Sequence, residues 1–155
     1  MCWLLEEFLA DYSLRPAVET DFPAIKSLIH QVGINPTGLN WRRFIVAETS
    51  DGQFVGCGQL KPHSDGTLEL ASLAVAPSAR QQGLGSLIVH RLMSDAPRPL
   101  YLTCRVQMGS FYQKFGFRIV KQADLPRYFR RISRIAGLAN TLHLLNDSLL
   151  VMVLD

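Results

Sequence analysis

The apolar residues of this chain recur with two different spacings. In some segments they return every three or four residues, which is the spacing of one helix face. These helical segments are 3–9, 20–32, 86–93, 110–115 and 125–138. Elsewhere they form short runs bounded by Gly, Pro, Asn, Asp or Ser, which indicates strands. The strand segments are 12–15, 44–47, 54–60, 67–75, 99–104, 117–120 and 148–154.

The order of these elements, β-α-β-β-β-α-β-α-β-α-β, predicts an α+β domain with a mixed sheet flanked by helices. Asp51-Gly52 is a strong hairpin signal between the second and third strands. The segment 67–75 is mostly apolar, so we expect a strand buried on both faces. No repeat or low-complexity tract divides the chain. We therefore expect one domain over 12–155, preceded by a short amphipathic extension over 1–11.

Composition and charge narrow the function classes. The chain has 155 residues and a formal net charge of +3, a balance that does not argue for nucleic acid as a partner. No run reaches the ~18 apolar residues of a membrane helix, and the acidic start lacks the positive charge of a signal peptide. We expect a cytoplasmic protein with no membrane partner, as a monomer or homodimer.

The cysteines and histidines do not suggest a metal site. Cys2, Cys57 and Cys104 are widely spaced and contain no C-x-x-C pair, which argues against both a disulfide framework and zinc. Cys57 and Cys104 lie in apolar strands, so we expect buried, unreactive thiols. The four histidines are scattered, and a structural or surface role is expected for each.

The segment ARQQGLGSLIVHRLM, residues 79–93, carries the clearest chemical signal. Two glycines between a strand and a helix would let backbone N–H groups approach an anion at the helix N-terminus. The spacing fits neither a Walker P-loop nor a dinucleotide fingerprint, which needs a third glycine where Ile88 stands. By itself this spacing leaves a ligand-free capped turn equally open.

Coordinated motifs around that segment add specificity. Val75-Ala76-Pro77 precedes Arg80, Gly83 and Gly85, and SFYQKFGFRIV follows at 110–120. Together these motifs resemble the GNAT superfamily of N-acetyltransferases, strongly over 68–120. The resemblance implies a GNAT-like, mostly antiparallel mixed sheet, acetyl-CoA as the co-substrate and no metal. It implies direct transfer of an acetyl group to a primary amine of an unidentified small molecule or protein.

The resemblance also implies positions for the cofactor. Backbone groups of one strand end would pair with the pantetheine arm, and the amides of the following loop would hold the diphosphate. The strand residues are Leu73, Ala74 and Val75, and the loop residues are Gln81, Gln82, Gly83, Leu84, Gly85 and Ser86. Arg80 would approach a phosphate as a charged donor, with a solvated surface arginine as the alternative.

Two side chains are candidates for moving protons. Tyr112 stands where the family places a tyrosine near the thioester sulfur, and it would protonate the departing thiolate. Glu69 lies where some members carry a catalytic glutamate that deprotonates the amine. The alternatives are a core-edge tyrosine and a glutamate in solvent. Where the family often has Asn and a small residue, this chain has Arg105 and Met108, so Arg105 would face substrate or the cofactor.

Two rival functions remain at the level of sequence. The late helix places four arginines on one face, with Tyr128, Ile132 and Ile135 expected to face inward. The arginines are Arg127, Arg130, Arg131 and Arg134. Such a face would suit a polyanion-binding regulatory module. The other rival is a catalytically silent module that binds acetyl-CoA. For an enzyme, we expect acceptor specificity in 35–43 and 127–145.

Overall fold

The computed structural model describes residues 11–141 and 148–155. The predicted extension over 1–11 lies outside the described residues except for Asp11. The described strands are β1 (Tyr12–Pro16), β2 (Phe44–Thr49), β3 (Phe54–Pro62), β4 (Leu68–Val75), β5 (Leu100–Arg105), β6 (Arg118–Ile119) and β7 (Leu149–Leu154). The described α-helices are α1 (Phe22–Val32), α2 (Leu84–Asp95), α3 (Gly109–Gln113) and α4 (Arg127–Thr141).

The strands form a mixed sheet in the order β1-β2-β3-β4-β5-β7-β6. Neighbouring strands are antiparallel in the pairs β1-β2, β2-β3, β5-β7 and β6-β7, whereas β4 and β5 are parallel. This confirms the α+β fold class expected from the order of elements. No helix within 11–141 or 148–155 is both long and apolar enough to cross a membrane.

The chain divides into two compact units. The first comprises the described residues up to 61 together with 70–95. Helix α1 buries Ile25 and Ile29 completely, against a core that includes Val46 and Cys57. Helix α2 lies close to β3 at Gly58. A Cβ added there would stand 2.9 Å from Cδ1 of Leu92. A glycine is therefore needed there for helix and strand to approach.

The second unit comprises 62–69 and the described residues from 96 onward. Strand β5 pairs along its whole length with β7, from Leu100 opposite Leu154 to Arg105 opposite Leu149. Its parallel pairing with β4 involves Leu68 and Glu69. Helix α4 contributes Phe129, which is 0% exposed, to a small core on this part of the sheet.

Two expectations about burial were wrong. Strand β4 is not buried on both faces, because only Glu69, Leu70 and Ala74 of its eight residues are buried. An apolar run does not by itself distinguish a central strand from one that leaves a face partly open. In α4 the inward residue is Phe129, while Ile135 is 66% exposed. The ring contacts that Phe129 makes with the sheet, rather than helical spacing alone, decide which face of α4 is buried.

Helix α1 begins without a side-chain cap. Asp21 occupies the N-cap position but its side chain makes no capping bond to this helix. It accepts hydrogen bonds from the Arg15 guanidinium at 2.7 and 2.9 Å and from the amide of Val18 at 2.7 Å. The hydrogen bond from Arg15 is the main reason why the pKa of Asp21 is lowered. A charged partner thus replaces the helix amides as the donor.

Candidate functional site

The loop between β4 and α2 lies within the first unit and bends through two residues with positive φ. Gln81 has φ +61° and Gly83 has φ +79°. A positive φ is uncommon for a residue other than glycine. Arg80 Nε donates to the carbonyl oxygen of Val75 at 3.1 Å, which ties the loop to the strand end. The turn expected from the glycines is present, and the first amides of α2 follow it directly.

The side chains of this loop differ in their availability. Gln81 and Gly83 are exposed, whereas the Leu84 side chain is buried and anchors the start of α2 in the core. Gln82 accepts from the Tyr12 hydroxyl and donates to a backbone carbonyl. Gly85 and Ser86 are half-buried at the start of the helix. The exposed residues of the loop are therefore Gln81, Gln82 and Gly83, together with the arginine before them.

Strand β4 is the edge strand of the first unit, where its outward backbone groups have no strand partner within that unit. Of the three residues expected to face the cofactor arm, Leu73 and Val75 are half-buried and Ala74 is buried. Ser72, directly before them, has φ +57°. This conformation breaks the regular alternation of the strand and re-aims the backbone that follows it.

A buried glutamine supports that irregularity. Gln59 of β3 is 0% exposed, and its Nε2 donates to the Ser72 hydroxyl at 2.8 Å. Its Oε1 has no hydrogen-bond partner among the described residues. Leaving a buried acceptor unsatisfied costs about 1–3 kcal/mol. Gln59 was not among the residues predicted from sequence, although a lone amide in an apolar strand was a visible signal.

Glu69 is buried rather than exposed to solvent. It is 7% exposed, and both carboxylate oxygens have partners within the second unit. The Thr103 hydroxyl donates to Oε1 at 2.8 Å, and His63 Nε2 lies 2.6 Å from Oε2. A buried carboxylate is expensive unless it is hydrogen-bonded in this way. The structure therefore holds Glu69 in a defined orientation.

His63 is the partner that sequence reasoning missed. Its side chain is 5% exposed, and its ring stacks on Tyr128 with 3.4 Å between centroids. Tyr128 is held in turn by its amide, which donates to Asp65 at 2.8 Å, and Phe129 closes the edge of the imidazole. The available signal was a histidine and a glutamate on opposite arms of one Asp65-Gly66 turn.

Tyr112 lies in the short helix α3 and is 7% exposed. Its ring packs edge-on against Phe111 and Phe117. Burial, followed by the charge of a nearby Cys104 thiolate, raises the pKa of its phenol. The hydroxyl therefore stays protonated at neutral pH, which is the state a proton donor needs.

Cys57 and Cys104 are buried, as expected. Burial raises the pKa of the Cys57 thiol to about 12 and that of Cys104 to about 11. Both remain thiols at neutral pH, and a thiol is a poor nucleophile. Within residues 11–141 and 148–155, no group of three or more His, Cys, Asp or Glu side chains could hold a metal ion.

Arg105, the residue found in place of the usual asparagine, ends β5 and is exposed. Met108, which replaces the small residue, is 41% exposed one turn later. Both expected positions thus lie at the end of the strand that leads into α3. The arrangement keeps a long basic side chain and a flexible apolar one just before the helix that carries Tyr112.

A cavity of about 350 Å³ opens beside α4 in the second unit. Its polar lining consists of Thr103, Gln122, Ser133, Arg134 and Ser148. Ile132, Leu149 and Val151 supply apolar wall. Its volume falls in the range of small-molecule sites. Thr103 lines this cavity and also binds Glu69, so the buried carboxylate stands one hydroxyl away from it.

Comparison with known proteins shows two levels of similarity. The model of the acetyltransferase (GNAT) domain matches residues 40–119, just over half of the chain. No curated protein matches the sequence. Many solved structures do match the fold.

Two solved structures are 25–26% identical to the chain. N-acetylglutamate synthase from Neisseria gonorrhoeae, complexed with coenzyme A and L-arginine, has a TM-score of 0.71 and 25% identity over 92% of this chain. This chain spans only 33% of that synthase. Rv2747 from Mycobacterium tuberculosis, in complex with CoA and NLQ, has a TM-score of 0.68 and 26% identity, covering 92% of this chain and 99% of that one. Ard1 from Thermoplasma volcanium shares the fold, with a TM-score of 0.64 at 17% identity, covering 93% and 97%.

Proposed function

Because the chain belongs to the GNAT acetyltransferase family, we propose that it transfers the acetyl group of acetyl-CoA directly to a primary amine. The buried, protonated Tyr112 phenol is the observation that carries this proposal. A thiolate leaving group needs a proton, and the Tyr112 hydroxyl, which is protonated at neutral pH, is our candidate for the donor. Acetyl-CoA supplies an activated thioester, so no covalent enzyme intermediate is needed.

The first unit has the features that a CoA diphosphate requires. The exposed turn at Gln81 and Gly83 leads straight into the amides of a 12-residue helix, whose dipole favours an anion. The tie between Arg80 and Val75 fixes this turn relative to the strand. We assign the diphosphate to the amides of 81–86 and the pantetheine arm to the edge of β4 at 73–75. The remaining N–H groups of Arg80 are left to meet a phosphate.

We assign the proton acceptor to Glu69. An ammonium acceptor gives a proton to the Glu69 carboxylate, either directly or through a hydroxyl or water, and becomes a nucleophile. Its nitrogen bonds to the thioester carbon, the C–S bond breaks, and Tyr112 protonates the thiolate. The nitrogen then loses its second proton, which returns directly or through water to the Tyr112 oxygen and leaves a neutral amide. A backbone amide near Leu73 would stabilise the oxyanion. His63 acts as a positioning residue, since it orients the carboxylate without touching the reacting atoms. The Thr103 hydroxyl holds the other carboxylate oxygen.

Small-molecule acceptors are the class that the comparisons support best. Besides the arginine complex, the gonococcal synthase has been crystallised with coenzyme A and N-acetyl-glutamate, at the same 25% identity. Because this chain covers about a third of that protein, the likeness supports a class of acceptor and not a substrate. Buried free thiols suit a reducing compartment such as the cytoplasm.

The test is acetyl-CoA consumption measured against a panel of primary amines. Tyr112→Phe should lower kcat by about 10²–10⁴-fold, while calorimetry should show little change in acetyl-CoA affinity. Glu69→Gln should lower kcat in the same way, with the loss concentrated at the acidic end of the pH profile. Tyr101→Phe is a matched control, because its ring stacks on Phe129 and the stack survives loss of the hydroxyl.

The result that would refute these roles is specific. If Tyr112→Phe turned over normally at saturating acetyl-CoA, Tyr112 would not be the acid. If no amine in the panel were acetylated, the transferase proposal itself would fail. The alternative of a silent or polyanion-binding regulatory module is not favoured. The matching family model is that of an acetyltransferase domain, and the solved neighbours include N-acetylglutamate synthase. Binding to a polyanion that weakens steeply with salt would revive it.

A further inference from the structure

The cavity beside α4 has an unusual balance of charge. Among its described lining residues, Arg134 is the single charged side chain, and no acidic residue accompanies it. Gln122, Ser133 and Ser148 add neutral hydrogen-bonding groups to the same wall. A guanidinium among hydroxyl and amide groups is suited to binding a carboxylate, because its donors match the two oxygens in a planar fork.

Arg134 differs from the other arginines of the same helix. All four arginines expected on this face are exposed, but Arg134 alone lines the cavity among the described residues. Arg130 donates to the carbonyl of Leu125 at 2.9 Å. In the part of the chain that the structure describes, Arg134 has no acidic partner. Its guanidinium is thus the charged group that the described wall presents to the cavity.

The cavity also has a position for a positive charge, at Thr103. Its hydroxyl lines the cavity and donates to the buried Glu69 carboxylate at 2.8 Å. The same oxygen can accept a hydrogen bond from an ammonium group, because a hydroxyl donates one and accepts two. Negative charge behind Thr103 favours a cation at that end of the cavity. The cavity therefore offers a site for a cation and a site for an anion.

We propose that this cavity binds the acceptor, and that the acceptor is an amine carrying a carboxylate, with the ammonium at Thr103 and the carboxylate at Arg134. This inference rests on the proposed acetyl transfer and names its substrate class. The apolar wall of Ile132, Leu149 and Val151 would accommodate the acceptor's carbon side chain. Small amino acids have this chemistry, whereas a protein lysine or a simple alkylamine does not.

The experiment compares amino acids with their decarboxylated counterparts as acceptors. L-alanine is paired with ethylamine and L-phenylalanine with phenethylamine, both at saturating acetyl-CoA. We expect the wild type to prefer the member with the α-carboxylate. Arg134→Gln should raise KM for that member by about 10- to 100-fold, the value of a lost charge-assisted contact. It should leave the decarboxylated member unchanged.

Two further variants separate the charge from its surroundings. Arg131→Gln is the matched control, because Arg131 is exposed on the same helix but does not line the cavity; it should leave every KM unchanged. Arg134→Lys keeps the charge without the planar fork and should recover part of the loss. Melting temperatures of all variants should match the wild type closely, which excludes a folding defect as the cause.

Each outcome decides one of the two claims. Equal or better use of decarboxylated amines, or an unchanged KM in Arg134→Gln, overturns the carboxylate site while acetyl transfer stands. If no amine is acetylated, the transferase proposal fails. The carboxylate site is then tested by calorimetric binding of the N-acetylated amino acids with CoA present. Weaker binding by Arg134→Gln but not by Arg131→Gln then supports the carboxylate site, and absence of binding overturns it.

Discussion

Replacing Gly83 by alanine should separate backbone strain from cofactor binding when Gly33 is changed in parallel. Both glycines have left-handed φ, +79° at Gly83 and +71° at Gly33. A Cβ in that conformation costs roughly 1–2 kcal/mol. At Gly33, which caps α1, an added Cβ meets nothing within 4 Å. The strain there is therefore the whole cost, and each variant should melt about 2–8 °C lower than the wild type.

Only Gly83→Ala should also weaken the binding of acetyl-CoA. Its Cβ would stand on the exposed turn where we place the diphosphate, and displacement of one charged hydrogen bond costs about 1.5–3 kcal/mol. That loss corresponds to a Kd raised about 10- to 100-fold. Isothermal titration of both variants with acetyl-CoA and CoA measures it, and thermal unfolding measures the strain.

The comparison has a clear point of failure. If Gly83→Ala bound acetyl-CoA as tightly as Gly33→Ala, the turn would not be the diphosphate site, whatever its effect on stability. If Gly33→Ala weakened binding equally, the loss would be a general consequence of destabilisation. Valine at Gly83 is a poorer probe, because a β-branched side chain adds strain at positive φ to any effect on the ligand.

Two further changes test the packing that positions the site. Between pH 8 and 10.5 the Cys57 thiol ionises in the unfolded chain, near pH 9, but not in the folded protein, where its pKa is raised to about 12. The free energy of unfolding therefore falls over this range, and Cys57→Ala should reduce that fall. Each such group costs up to ~1.4 kcal/mol per pH unit above that point, and urea unfolding at both pH values with an unchanged difference would contradict this. Phe129→Ala should lower the free energy of unfolding by about 3–5 kcal/mol, because the ring is fully buried and contacts Tyr101 and His63; a loss below about 1 kcal/mol in the same assay would show that its contacts matter little.

Local patterns were sufficient for most of the fold. Gly33 ends α1 and Asp51-Gly52 joins β2 to β3, because each signal depends on the backbone preference of one or two residues. The turn before α2 was also visible, since the glycines, the strand before them and the helix after them are adjacent in sequence. The inward face of α4 was not, because Phe129 and Ile135 are equally apolar and only the packed sheet distinguishes them.

The sequence by itself determined the order of the elements and the turn that precedes α2, because both depend on neighbours within a few positions. The resemblance to the family supplied the candidates Tyr112 and Glu69. Only the tertiary structure decided what surrounds those candidates. Thr103 lies 34 positions from Glu69, and Tyr128 lies 65 positions from the His63 ring that it stacks on. Burial, hydrogen-bond partners and the shape of the cavity depend on such distant pairs, and no local spacing encodes them.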